Sequence, residues 1–164
     1  MAGLGLLAWR VQSSGAGAVF VTDGGAPAPA FRLDSLQGQQ VRLADFKGRV
    51  VVLELWATWC GPCKLQAEIL HELYDEVSTS EVEFLAISLG ESRETVERFV
   101  ERQPFTYPVL LDPEETLGVS LEVYALPTVV VIDQDGHIRF HQPGLADAGT
   151  LRRVLSDLGV GLST

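Results

Sequence analysis

Val50-Val51-Val52-Leu53-Glu54-Leu55-Trp56-Ala57-Thr58-Trp59-Cys60-Gly61-Pro62-Cys63 decides the fold of this 164-residue chain. Its first seven residues form a near-continuous apolar run, the pattern of a central parallel strand covered on both faces. Just downstream, Leu65, Ile69, Leu73 and Val77 recur at i+4 spacing with Leu70 and Tyr74 beside them, which predicts an amphipathic helix. The chain's two cysteines therefore lie at a strand-to-helix junction.

Around this centre the pattern repeats. Phe31 to Leu43 reads as two short strands turning at Gly38, and Val82 to Leu89 as another strand. Ser92 can cap a helix whose Val96, Phe99 and Val100 face inward, and Pro104 ends it. Pro108 to Leu111 is a short strand, Glu114 to Val119 a helical turn, and Thr128 to Ile132 a buried strand. Asp135-Gly136 makes a hairpin turn into Ile138 to Phe140, and a last helix carrying Leu151, Val154, Leu155 and Leu158 stops at Gly159. The expected class is α/β, a sandwich with a central mixed sheet flanked by helices. Residues 1–29, rich in Gly and Ala and closing on Pro27-Ala28-Pro29, read as a tail and linker, and 30–164 as one folded domain.

Composition excludes several classes. Two cysteines are too few for a disulfide scaffold, and an apolar fraction of 46% excludes wholesale disorder. A net charge of −10 argues against a nucleic-acid partner. Residues 64–123 hold 14 acids and 4 bases while the rest of the chain holds 8 of each, so the acidity is local. Such a surface favours basic or neutral partners, or is a solvated face kept negative for solubility. The apolar start, Met1 to Trp9, is too short to span a membrane. With Ala16-Gly17-Ala18 it reads as a degenerate export signal or the remnant of an anchor, and membrane association is expected only through such an anchor.

At a helix N-terminus, free backbone N–H groups and the positive end of the dipole stabilise a thiolate, so Cys60 is the expected nucleophile. Cys63, one turn on, is placed to attack a mixed disulfide on Cys60 and release the product. Gly61 permits close approach, and Pro62 suits a first turn because it has no N–H to satisfy. Structural thiols, a chance pair or half a zinc site are the competing readings. Zinc lacks ligands at the right spacing, because His71, His137 and His141 are scattered and His71 reads as a solvent-side helix residue. No metal and no separate cofactor are expected.

Glu54 is the lone acid in its strand. If buried it should have a raised pKa and could pass protons to and from the thiols; the alternative has it reaching water at a strand end. Pro127, in Leu126-Pro127-Thr128, opens a buried strand at the one position that can spare its N–H.

Together with Leu89-Gly90-Glu91-Ser92, Tyr107-Pro108-Val109-Leu110-Leu111-Asp112 and Val131 to Gly136, these features resemble the thioredoxin superfamily, and within it the TlpA/ResA-like branch of thiol–disulfide oxidoreductases. The resemblance covers roughly residues 28–158. It implies a thioredoxin-like fold with an N-terminal β-hairpin and an insert between Ser92 and Val119. It also implies Cys60 as attacking thiol, Cys63 as resolving thiol, and a cis bond before Pro127 that offers the Leu126 backbone to an extended substrate. Trp59 would belong to the docking surface, and Glu54 matches the buried acid of thioredoxins. Gln66 departs from the branch, since some cytochrome-c-maturation members carry Glu three residues after the second cysteine.

The expected function is disulfide exchange with protein substrates, fed by an upstream dithiol donor. The Gly-Pro between the cysteines matches thioredoxin, near about −270 mV, rather than strong oxidants near about −120 mV, which points to a reductase. An extracytoplasmic setting is favoured over a cytoplasmic one. The competing functions are a thiol peroxidase of the same fold, though the Leu-Trp-Ala-Thr-Trp before Cys60 lacks the Pro-x-x-x-Thr-x-x-Cys pattern, and a metal-chaperone or binding module using the paired thiols.

Overall fold

Period-two alternation explains how a seven-residue apolar run is satisfied. The computed structural model describes the backbone of Val11–Ser13 and Val19–Val21 and the whole of residues 24–163. The run forms a strand, β5 (Val50–Trp56), with every residue buried. Val50, Val52 and Trp56 face one hydrophobic cluster, and Val51, Leu53 and Leu55 face a second on the other side of the sheet.

The strands before β5 are β1 (Val11–Ser13), β2 (Val19–Val21), β3 (Arg32–Ser35) and β4 (Gln40–Arg42). After it come α1 (Gly61–Glu76), β6 (Val82–Leu89), α2 (Arg93–Val100), β7 (Val109–Asp112), α3 (Thr116–Ser120), β8 (Thr128–Ile132), β9 (Ile138–Pro143) and α4 (Ala148–Asp157). They join in one mixed sheet ordered β1-β2-β9-β8-β5-β6-β7-β3-β4. β5, β6 and β7 run parallel, and β8 pairs antiparallel to β5. Helices α1, α2 and α4 supply Leu70, Leu73, Val96, Leu151 and Leu155 to the first cluster, whereas Leu117 of α3, Leu121 and Phe31 fill the second. The expected α/β sandwich, the hairpin β3–β4 and the insert α2-β7-α3 are all present.

Three local readings change. Strands β1 and β2 lie inside the stretch read as linker, where short valine-bearing segments extend the sheet past β9. Close approach continues at Gly25, whose missing Cβ would stand 2.0 Å from the Ile138 carbonyl oxygen. The export-signal reading of Met1–Trp9 and Ala16–Ala18 lies outside the described residues. Among the described residues no helix is long and apolar enough to cross a membrane.

The buried face of α1 is also rotated from the predicted stripe. Cys63, Gln66, Leu70 and Leu73 point inward, while Leu65 is 49% exposed. Gln66 can be buried because both ends of its amide are used: Nε2 donates to the Ala146 carbonyl at 3.2 Å and Oε1 accepts from the Ala146 N–H at 2.7 Å.

The helical turn predicted from Glu114 starts at Thr116 instead. Asp112, itself buried, accepts hydrogen bonds from the N–H groups of Thr116, Leu117 and Gly118 and so fixes where α3 can begin. Replacing Asp112 with Ala would strand these donors, two of them in buried bonds. The expected loss is about 2–4 kcal/mol of unfolding free energy, read by urea denaturation; a loss below about 0.5 kcal/mol would contradict this account of α3.

Candidate active site

Cys60 is the N-cap residue of α1, extended at φ −85° and ψ 105°, and Cys63 lies in the first turn. The two are joined as a disulfide with Cα atoms 5.4 Å apart. Both residues are almost wholly buried, whereas Gly61 and Pro62 between them are exposed and Trp59 before them is 75% exposed. Cys60 makes no side-chain capping bond, so the N–H groups of the first turn are free to stabilise charge on its sulfur once the disulfide opens.

The loop leading to Cys60 is tied down by a residue that sequence reading did not single out. Glu91, just after β6, accepts from the Thr58 N–H at 2.9 Å, from the Thr58 hydroxyl, and from the Ser88 hydroxyl at 3.0 Å. A partner 33 positions away becomes evident only when parallel pairing of β5 with β6 sets Trp56 beside Ser88.

Pro127 sits at the same end of the sheet. Register between β5 and β8 pairs Leu55 with Thr128, which brings residue 127 level with Trp56, close before the cysteine loop. The Leu126–Pro127 peptide is cis, and the Pro127 carbonyl accepts from the Gly144 N–H at 2.7 Å. Leu126 is half-buried and packs against both core clusters.

Glu54 is 1% exposed, on the same face of β5 as Val52 and Trp56. Its Oε2 accepts from the Tyr107 hydroxyl at 2.8 Å, and Oε1 has no protein partner. Burial pushes its pKa up to about 8, with the Tyr107 hydrogen bond pulling the other way. The reading in which Glu54 reaches water is therefore wrong. Tyr107 is the second residue that the sequence did not assign, since a tyrosine 53 positions downstream carries no local signal.

His71 is not the solvent-side residue expected. Its ring packs edge-on against Phe105 and Tyr107, with centroids 5.7 and 5.1 Å apart, and burial lowers its pKa despite Asp75 and Glu68 nearby. His141 instead bonds the Leu121 carbonyl at 2.9 Å, and His137 lies 3.7 Å from Asp133. Among the described residues no group of three or more His, Cys, Asp or Glu side chains could hold a metal ion.

A disulfide at a helix N-terminus, flanked by an exposed tryptophan, can be opened by an incoming thiolate and re-formed by its own partner cysteine. The AhpC/TSA family pattern matches residues 25–141. The chain belongs to the AhpC/TSA family. Among relatives, this AhpC/TSA chain is 37% identical over 115 residues to the thiol-disulfide oxidoreductase ResA of Geobacillus kaustophilus, a match covering 70% of the chain and 66% of the relative. It thus spans just under two thirds of that relative's length. The solved structure of a putative thiol:disulfide interchange protein DsbE from Chlorobium tepidum superposes with a TM-score of 0.76 at 27% identity, over 83% of this chain and 97% of that one. An exposed lipoprotein thioredoxin, Etrx1, from Streptococcus pneumoniae superposes at 0.73 and 26% identity, over 79% and 100%. The thioredoxin-like fold and the resemblance to the ResA branch both stand on these matches.

The raised pKa of Glu54 has a signed consequence. Between its ordinary value of 4.5 and about 8 the native protein keeps a proton that the unfolded chain has released. Stability contributed by this group is full below pH 4.5 and declines as pH rises to about 8, with a limiting slope of about 1.4 kcal/mol per pH unit. Urea midpoints of the oxidised protein between pH 5 and 8 should fall more steeply than those of Glu54→Gln; parallel curves would show that Glu54 is ionised in the native state.

Proposed function

We propose that the protein exchanges disulfides with protein substrates and works as a reductase. The observation that carries the reading is the Cys60–Cys63 disulfide at the N-terminus of α1, directly after a buried strand. In the reduced protein the Cys60 thiolate attacks one sulfur of a substrate disulfide. The S–S bond breaks, one substrate thiolate leaves and takes up a proton, and a mixed disulfide forms. Cys63, deprotonated, then attacks the Cys60 sulfur, and the second substrate thiol departs. Two electrons have passed to the substrate, and the protein is left in the disulfide form. An upstream dithiol reverses the cycle.

Glu54 serves as the proton carrier. With a pKa pushed to about 8, its carboxylate can accept the Cys63 proton as that thiol becomes the attacking group, and Tyr107 orients it. Gln66 cannot take this part, because its amide does not titrate and both ends are committed to Ala146. That leaves the general exchange reading in place and offers nothing for a specialised cytochrome-c-maturation role. Trp59, Gly61 and Pro62 form the exposed surface around the sulfurs, and the Leu126 backbone before Pro127 pairs with an extended substrate segment. The unit 30–164 carries the chemistry, and β1 and β2 of the preceding stretch add to its sheet beside β9. An extracytoplasmic setting is favoured by the likeness to an exposed lipoprotein thioredoxin.

Titration in defined dithiol/disulfide buffers tests the direction of electron flow. A reversible two-electron midpoint below about −240 mV is expected for a reductase. One above about −180 mV would make the protein an oxidase or isomerase, and failure to form a reversible disulfide would leave the metal-binding reading in front. Cys63→Ser should accumulate a mixed disulfide on Cys60 that wild type resolves, seen as a mass increment removed by dithiothreitol; an increment on Cys63 in Cys60→Ser alone would reverse the two roles. Glu54→Gln should slow turnover about tenfold to a hundredfold and abolish the rise in rate through pH 8. An unchanged pH profile would remove Glu54 from the cycle.

A further inference from the structure

Two clefts open beside the disulfide and meet at Phe99 of α2. The first, about 180 Å³, is walled by Cys60, Cys63 and Ala67 on one side and Phe99 and Phe105 on the other. The second, about 320 Å³, is lined by Thr58, Thr95, Arg98, Phe99 and Arg102. Phe99 stands on Trp56 with ring centroids 5.2 Å apart, so the wall between the clefts is anchored to the end of β5.

Charge is distributed unevenly here. Of the four bases in the acidic stretch 64–123, three line these clefts: Lys64, Arg98 and Arg102. Glu68 is the one acid in either lining among the described residues. The nearest carboxylate to Arg98 is Glu94 at 3.7 Å, with both side chains well exposed, a pairing of little strength. The Arg102 guanidinium has no carboxylate partner among the described residues. A base near the end of α2 suits the helix dipole, but that effect asks for no cleft and no second arginine.

We propose that the paired clefts are a substrate subsite for a protein segment carrying a carboxylate close to its reacting cysteine. Arg98 and Arg102 hold the Asp or Glu side chain, and an apolar side chain of the same segment enters the cleft between Phe99 and Phe105. The proposal rests on the exchange reaction described above and adds its substrate preference; the bonds made and broken at sulfur are those already given. The chain's net charge of −10 does not oppose it at contact range, because exposed charges are screened beyond roughly 8 Å at physiological salt whereas the two arginines meet the carboxylate directly.

The test uses the full chain and three disulfide-linked peptides that differ only in bearing Asp, Asn or Lys two residues from the cysteine. Hydroxyethyl disulfide, which is uncharged, serves as the check on exchange itself. Wild type should reduce the Asp peptide about fivefold faster than the Lys peptide in kcat/KM, with Asn between and the spread shrinking as salt is raised. In Arg98→Glu/Arg102→Glu the order should invert, an outcome that general damage to the protein does not produce. Equal rates for Asp and Lys peptides in wild type, or an uninverted order in the variant, would overturn the subsite while leaving exchange intact. If wild type fails even on hydroxyethyl disulfide, the exchange reading falls, and the subsite with it.

Discussion

A strand covered on both faces has no room for a charge, and β5 carries an acid, Glu54. Two apolar clusters bury β5, so Glu54 cannot reach water; a single hydroxyl, from Tyr107, meets one of its oxygens. Hydrocarbon packing of this kind makes a buried carboxylate hold its proton near neutrality, where thiols also exchange theirs. The same strand delivers Cys60 to a helix N-terminus four residues past its end, so one element positions both the buried carboxyl and the first cysteine of the disulfide.

The insert α2-β7-α3 completes the site from outside. β7 ends in Asp112, which starts α3, and Tyr107 enters just before β7. Glu91, at the mouth of α2, holds the Thr58 loop, while Phe99 leans on Trp56. The insert therefore contributes a phenol for the buried carboxylate and an aromatic wall for the cleft, while Glu91 just ahead of it supplies the acid for the loop.

Legibility in the sequence followed the range of the interaction. The β5 run, the α1 junction with its cysteines, the hairpins and the capping of α2 by Ser92 are local, and local patterns revealed them. Glu54 was singled out because a lone acid among Val and Leu is visible without coordinates. Its partner Tyr107 was not, nor was Glu91, because each reaches its target only through strand register. His71 misled for a related reason. Polarity argued for solvent, yet its ring found aromatic neighbours. The strands at Val11–Ser13 and Val19–Val21 were missed because three-residue segments amid Gly and Ala give too little alternation to register.

Among the described residues both borders of the sheet are three-residue strands, β1 on one side and β4 on the other. A long bare margin would invite any extended chain to stack on it, and repeated stacking is how aggregates grow. The disulfide exchange proposed above would bring this protein against extended chains at every turnover. With margins this short, the sheet offers such chains little backbone to pair with away from the sulfurs.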